Sequence, residues 1–185
     1  MQLNKVSSGR PILLVPGAMT GAWIWRDNFE RAFREAGYDV KTMEFRGHRA
    51  GIGERFKARF EHYVDDCVDA IEACEQEPIL VGHSLGGLVA LHASARASVV
   101  ATALLSPAPV EGIGRSLFSL GRKSPVSLAK FIAATMDARL TRYAQAPLGI
   151  YSDTCDTNRA QAITSQLRSE SLPVLLRLLA PPKLD

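Results

Sequence analysis

The order of apolar segments along the chain restricts its fold more than any other feature of the sequence. Four short stretches with strand character alternate with longer segments in which apolar residues recur every three or four positions. The strand-like stretches are residues 11–15, 38–45, 78–82 and 99–105. The first and third are apolar throughout and end at proline or glycine, as strands buried on both faces do. Such alternation predicts an α/β fold with a doubly wound, mostly parallel sheet and helices on both faces.

The segments between these strands predict three helices. The first has apolar residues at helical spacing from Trp25 onward and ends near Gly37, where a C-cap glycine is expected. The second has an apolar face between Phe60 and Cys74, and the third is rich in Ala and Leu. Ligands of open parallel sheets bind beyond the carboxyl ends of the strands. A site is therefore expected in the loops at residues 16–22, 46–55, 82–85 and 106–112.

The pattern changes after Pro107. Residues 108–180 contain helical periodicities and no further strand-like run. We therefore predict two parts, an α/β core over residues 1–107 and a helical lid or cap over residues 108–185. The sheet would then lack its last strands.

The most informative motif is Gly82-His83-Ser84-Leu85-Gly86, a G-x-S-x-G pattern between an apolar strand and a helix. A sharp strand-to-helix turn at this position exposes the Ser84 hydroxyl above the sheet, and glycines on either side leave room for the turn. This context favours Ser84 as a nucleophile. The alternative is a glycine-rich turn in which Ser84 is an ordinary helix cap.

Three segments together resemble the α/β-hydrolase family, in particular its small esterases and lipases with a lid. Residues 13–25 look like an oxyanion loop that runs into Gly-Ala-Trp, and residues 44–48 are similar to the Asp-x-Arg-Gly-His turn of many members. The third segment is the motif around Ser84. The resemblance covers nearly the whole chain, and it implies an ester or related acyl compound as substrate.

The resemblance also implies that the backbone N–H groups of Ala18 and Leu85 form an oxyanion hole. Two residues depart from the family pattern: Pro16 stands where histidine is customary, and Arg49 stands where glycine commonly follows Gly-His. Proline has no N–H to donate, which could change how the loop is anchored. The N–H of Ala18 remains in either case.

A serine nucleophile needs a general base, and in this fold the acid and the histidine follow the nucleophile along the chain. The four histidines are His48, His62, His83 and His92, so the usual late position is empty. Of these, His48 alone lies on a loop at the appropriate end of the sheet, and the resemblance implies that it is a structural turn residue. His62 is expected to be solvent-exposed. Glu111 or Asp153 could serve as an acid, but an acid without histidine is insufficient.

The missing histidine and the end of the chain suggest one explanation. The family places further strands, with the acid and the histidine, after the lid. The sheet order would also leave the stretch from Val99 to Leu105 as an apolar edge, which normally requires a neighbour. We therefore expect a C-terminal half or a second chain to complete the enzyme, and the 185-residue chain alone to be inactive or nearly so.

Composition, cysteine spacing and the motifs present restrict the partners, location and cofactors that we expect for the protein. The net charge is +3, with no block of like charge, so a nucleic-acid partner is not expected. Cys67 and Cys74 would lie roughly 10 Å apart on one helix, too far for a disulfide. No membrane-length apolar stretch or secretory segment is present, and the cytoplasm is the expected location. No cofactor-binding or metal-binding motif is found, so none is expected.

Three hypotheses about function remain open at this point. The first is a serine hydrolase of the esterase or lipase type. The second is a catalytically inactive member of the fold that binds an apolar ligand or partner. The third is a non-hydrolytic member, with chemistry such as cofactor-free halide oxidation or cyanohydrin cleavage.

Overall fold

The computed structural model describes residues 9–48, 52–136, 151 and 154–183. Its four strands form one fully parallel sheet in the order β2-β1-β3-β4. The strands are β1 (Pro11–Val15), β2 (Asp39–Thr42), β3 (Ile79–His83) and β4 (Ala101–Leu105). This arrangement confirms the parallel α/β fold predicted from the alternating pattern.

Helices connect the strands and continue after the last one. A 3-10 turn (Ala22–Trp25) and a π turn (Arg26–Glu30) lead into α1. The helices are α1 (Arg31–Glu35), α2 (Ile52–Lys57), α3 (Phe60–Glu72), α4 (Leu85–Ser94), α5 (Gly114–Lys123), α6 (Pro125–Met136), α7 (Thr157–Thr164) and α8 (Leu172–Leu179).

Both faces of the sheet are covered by apolar side chains. Leu13 and Leu80 face a large core that includes residues of α3 and α4. Leu14 and Val81 face a second, smaller core that includes Trp25. Because successive side chains of a strand point to opposite faces, a continuously apolar strand such as β1 must be buried on both sides. The sheet is therefore doubly wound.

Several elements are shorter than the sequence pattern predicts. β2 covers four residues rather than the stretch 38–45, because it lies at the edge of the sheet and its pairing with β1 ends at Thr42. α3 ends at Glu72, before the end of its predicted apolar face at Cys74, and β4 begins at Ala101 rather than at residue 99. Cys74 thus lies just beyond α3, where its Sγ donates to the Ala70 carbonyl at 3.3 Å.

The last helix, α8, packs into the core of the sheet. Val174 and Leu178 of α8 are buried in the same cluster as Leu13 and Leu80. The described part of residues 108–183 adds no strand to this sheet. The division into a core and a lid at residue 107 remains a prediction. Within the described ranges, no helix is both long and apolar enough to cross a membrane.

Candidate active site

Ser84 alone forms the turn between β3 and α4. Its φ and ψ angles are 52° and −121°, in a region that residues with a side chain rarely adopt. The Ser84 N–H donates to the Leu105 carbonyl at 3.1 Å, and its own carbonyl accepts from the N–H groups of Gly87 and Ala108 at 3.0 and 2.9 Å. These hydrogen bonds hold the backbone in a conformation that would otherwise be unfavourable.

Two glycines make this turn sterically feasible. A Cβ atom on Gly82 would lie 2.6 Å from the Gly86 carbonyl oxygen, and one on Gly86 would overlap the carbonyl oxygen of Pro16. Any larger residue at either position would force the backbone apart. The glycines of the sequence motif are therefore needed where strand, helix and the loop after β1 meet.

The loop after β1 lies beside this turn. Met19 has a φ of 62°, and the Thr20 hydroxyl donates to the Gly17 carbonyl at 2.9 Å. The N–H groups of Ala18 and Leu85 make no hydrogen bond to another residue of the described ranges. Free backbone donors of this kind can stabilise an anionic oxygen.

Ala18, Ser84 and Leu85 line one cavity of about 700 Å³. The three predicted site residues are therefore brought together, although the sequence separates Ala18 from the other two by more than 60 positions. The non-glycine residues with positive φ in the described ranges, Met19, Ser84 and Ser106, all lie in this same wall. Backbone strain of this kind concentrates at functional sites.

Behind the loop lies a buried polar cluster that sequence reasoning missed. Glu170 is 2% exposed, and its carboxylate accepts hydrogen bonds from the Met19 N–H at 2.9 Å and the Tyr63 hydroxyl at 2.7 Å. The Ser171 N–H donates to it at 2.8 Å, and the Nε2 of His48 lies 3.1 Å from both carboxylate oxygens. We call Glu170, His48 and Tyr63 the Glu170 cluster.

The Glu170 cluster contains a buried ion pair. Burial by itself would lower the pKa of His48, but its hydrogen bond to Glu170 and the charge of Glu170 outweigh this, so the pKa is raised. Burial would likewise raise the pKa of Glu170, yet the hydrogen bond and charge of His48, with smaller contributions from Tyr63 and Met19, lower it. Each shift favours the charged form of its group, since each group stabilises the charge of the other.

This geometry argues against His48 as the base for Ser84. Its Nδ1 lies 2.8 Å from the Thr20 carbonyl, which can only accept, so Nδ1 carries a proton. Its Nε2 faces the Glu170 carboxylate and is also a donor. With both ring nitrogens donating, His48 has no lone pair for the serine proton, in agreement with the structural turn role.

Of the other three histidines, two contact residues outside the cavity wall and one lies in that wall. His62 is half-buried rather than exposed as expected, and its Nδ1 accepts from the Arg59 N–H at 3.3 Å. His92 packs its ring edge against Phe60, with centroids 5.2 Å apart. His83 lies in the cavity wall, and burial lowers its pKa.

The two candidate acids give no complete relay. Glu111 is exposed and does not line the cavity. Asp153, like Arg49 of the family comparison, lies outside the described residues.

A parallel doubly wound sheet with a strained serine between strand and helix defines a class of hydrolase-like folds. The sequence model of the alpha/beta hydrolase family matches residues 12–183, and the chain belongs to that family. A comparison with curated proteins returns no match.

Solved structures of similar fold are longer than this chain. An extracellular alpha/beta-hydrolase from a Paenibacillus species is 23% identical with a TM-score of 0.68, over 95% of this chain and 72% of its own. A carboxylesterase of the thaumarchaeon Nitrososphaera gargenis gives 19% identity and a TM-score of 0.69, over 96% and 66%. Polyneuridine aldehyde esterase gives 14% identity and a TM-score of 0.63, over 96% and 75%. These similarities concern the fold.

Proposed function

We propose that the protein is a serine hydrolase for carboxylic esters or related acyl compounds, with Ser84 as nucleophile. The observation that supports this most directly is the strained Ser84 turn in the wall of a cavity that Ala18 and Leu85 also line, two residues whose N–H groups have no hydrogen-bond partner among the described residues. The Ser84 Oγ would attack the acyl carbonyl carbon, and the two N–H groups would stabilise the resulting oxyanion. Esterases among proteins of similar fold add support.

The proton of Ser84 still requires an acceptor. His48 is committed to Glu170 and Thr20, while His62 and His92 contact Arg59 and Phe60. His83 lines the same cavity, and its buried Nδ1 has no hydrogen-bond partner among the described residues. We do not assign it as the base, because neighbouring side chains at such a turn point apart. We propose that the acid and the histidine belong to polypeptide that pairs with β4, either a C-terminal continuation or a second chain. The lengths of the similar structures support this proposal, because this chain spans only 66–75% of each of them.

Two alternatives predict different behaviour. A ligand-binding member without catalysis would keep the cavity and show no preferential reactivity at Ser84. A non-hydrolytic member would turn over a substrate other than an ester.

For location we propose the cytoplasm, because Cys67, Cys74 and Cys155 are all free thiols. We propose no nucleic-acid partner.

The nucleophile is tested by fluorophosphonate labelling followed by peptide mass spectrometry. We expect slow labelling of the purified chain at Ser84 alone, since an oxyanion hole accelerates acyl chemistry even without a base. Ser84→Ala should abolish it. Ser106→Ala, which removes the other serine of the same cavity wall, should leave it unchanged. Labelling that persists in Ser84→Ala would disprove the assignment.

A further inference from the structure

Met19, in the loop after β1, has an unfavourable backbone conformation. Its φ of 62° lies in the left-handed region, which residues with a side chain rarely adopt. Met19 directly follows Ala18, the proposed oxyanion donor, and both residues line the cavity beside Ser84. A relaxation of Met19 to a negative φ would rotate the peptide bond that joins it to Ala18. The position of the Ala18 N–H therefore depends on the contacts that hold Met19.

Three neighbouring residues of the segment before α8 contact Met19. The Arg168 N–H donates to the Met19 carbonyl at 2.8 Å, and the Met19 N–H donates to the Oε2 of Glu170 at 2.9 Å. The side chain of Leu167 packs against that of Met19. Both backbone polar groups and the side chain of Met19 are thus held by residues 167–170.

Glu170 is itself fixed in position by the residues around it. Its N–H donates to the Thr135 carbonyl on α6 at 2.9 Å, and the hydroxyl of the next residue, Ser171, donates to the Ala58 carbonyl at 2.7 Å. The Glu170 side chain is fully buried and does not line the cavity. It can therefore influence the reacting end of the cavity only through Met19.

The two carboxylate oxygens of Glu170 serve different donors. Oε1 accepts from the Tyr63 hydroxyl at 2.7 Å and from the Ser171 N–H at 2.8 Å, whereas Oε2 accepts from the Met19 N–H. A carboxylate accepts on both oxygens, but a glutamine amide has one oxygen and one NH2 group that only donates. An amide at this position would therefore leave one set of donors facing another donor.

We propose that Glu170 is a positioning residue for the oxyanion hole: its Oε2 holds Met19 and thereby keeps the Ala18 N–H in place beside Ser84. This inference rests on the proposed function, because the Ala18 N–H has a task only in a reaction at Ser84. Removal of one oxyanion-hole donor slows acyl chemistry by roughly 10²–10³-fold. A displaced Ala18 should therefore slow the reaction of Ser84 without weakening the binding of the reagent.

The test measures how the rate of fluorophosphonate labelling at Ser84 depends on probe concentration in Glu170→Gln. The amide oxygen should face the two donors at Tyr63 and Ser171, which turns the NH2 group toward the Met19 N–H. We expect the maximal rate per folded molecule to fall at least about tenfold, with the half-saturating probe concentration unchanged. A maximal rate equal to that of the wild type would overturn the proposal.

Tyr63→Phe is the matched control, because it changes a donor to the other oxygen of the same carboxylate. It removes the hydroxyl that donates to Oε1 and keeps the ring, which stacks on Phe45 with centroids 4.2 Å apart. The contact between Met19 and Oε2 remains, so the labelling rate should be unchanged even though the cluster is less stable. Equal losses in both variants would show that labelling follows the stability of the cluster, and would also overturn the proposal.

A measurement on the wild-type chain decides the matter if Glu170→Gln does not fold. Hydrogen exchange followed by NMR should show the Met19 amide to be protected at least about a hundredfold more than the Ala18 amide. The Ala18 N–H is the matched comparison, since it has no hydrogen-bond partner among the described residues. Equal protection of the two amides would contradict the contact between Met19 and Glu170 and overturn the proposal.

The labelling data also separate this proposal from the proposed function. Labelling of Ser84 that is equally fast in the wild type and in Glu170→Gln would refute the positioning role and leave Ser84 as the nucleophile. A wild-type chain that is not labelled at Ser84 would refute the nucleophile and, with it, the role of Glu170 in the reaction.

Discussion

The carboxylate of Glu170 joins parts of the chain that are far apart in sequence. It accepts from Met19 in the loop that contains Ala18, from Tyr63 on α3, and from Ser171 at the start of α8. The Arg168 N–H adds a bond to the Met19 carbonyl at 2.8 Å. One buried residue thus fixes the position of the proposed oxyanion loop.

Glu170→Gln tests this role through stability. The amide removes the negative charge beside His48 in a site where both side chains are fully buried. Breaking a buried ion pair leaves a costly unpaired group, so we expect a loss of about 3 kcal/mol in the free energy of unfolding. Glu61→Gln is the control, because its pair with Arg177 is exposed and should change stability by less than about 1 kcal/mol. Urea unfolding measures both, and equal effects would disprove the role.

The pH dependence of the free energy of unfolding also tests the pairing of Glu170 with His48. The lowered pKa of Glu170 gives stability that is present above the unfolded value of about 4.3 and is lost as pH falls through the folded value. The raised pKa of His48 gives stability that is present below about 6.5 and is lost as pH rises through the folded value. Stability from this pair is therefore greatest between these limits, and Glu170→Gln should flatten the profile at both ends.

At the scale of elements, the turn formed by β3, Ser84 and α4 packs tightly against the end of β1 and the loop that follows it. A methyl group on Gly86 would collide with the carbonyl oxygens of Val15 and Pro16, both in rigid backbone. We expect Gly86→Ala to lower the free energy of unfolding by about 3 kcal/mol, because overpacking against backbone cannot relax.

Gly114→Ala on α5 is the matched control for this substitution. Its added Cβ would lie 3.5 Å from the Leu179 carbonyl oxygen, an ordinary contact. Alanine favours a helix over glycine by up to about 1 kcal/mol, so this variant should be neutral or slightly more stable. Thermal unfolding of the two variants gives the comparison, and a tolerated Gly86→Ala would show that the turn is not tightly packed.

The sequence pattern predicted which helices and strands form better than it predicted the residues at which they begin and end. β1 has the predicted limits because proline bounds it. β2 stops early, at Thr42, and β4 begins late, at Ala101, because those are the residues where pairing with the neighbouring strand ends and begins. Ser84, Ala18 and Leu85 could be predicted as site residues because the motifs that contain them are short and continuous in the sequence. The Glu170 cluster could not, since the contact between His48 and Glu170 spans 122 positions and depends on how α8 packs.

For the whole molecule, the sheet order leaves β4 at the edge of the sheet that the described residues form. Its pairing with β3 covers five residues, and Ala101 and Ala103 are exposed beside a half-buried Leu104. An apolar edge without charges tends to pair with another strand. Ser84 is bonded to Leu105 of this strand, so material that pairs with β4 would lie close to the proposed nucleophile.

The last prediction concerns turnover by the 185-residue chain itself. We expect p-nitrophenyl acetate and butyrate to be hydrolysed only faintly, because Ser84, Ala18 and Leu85 can bind and polarise an ester while the proposed histidine base is absent. Loss of a triad member in a serine protease leaves an acceleration of roughly 10³–10⁴ over water, so a trace rate agrees with this view. Turnover at roughly 1–10³ per second would contradict it and make His48→Ala the decisive variant. If the reading frame continues beyond residue 185, co-expression with the encoded segment should restore turnover, and Ser84→Ala in that pair should abolish it again.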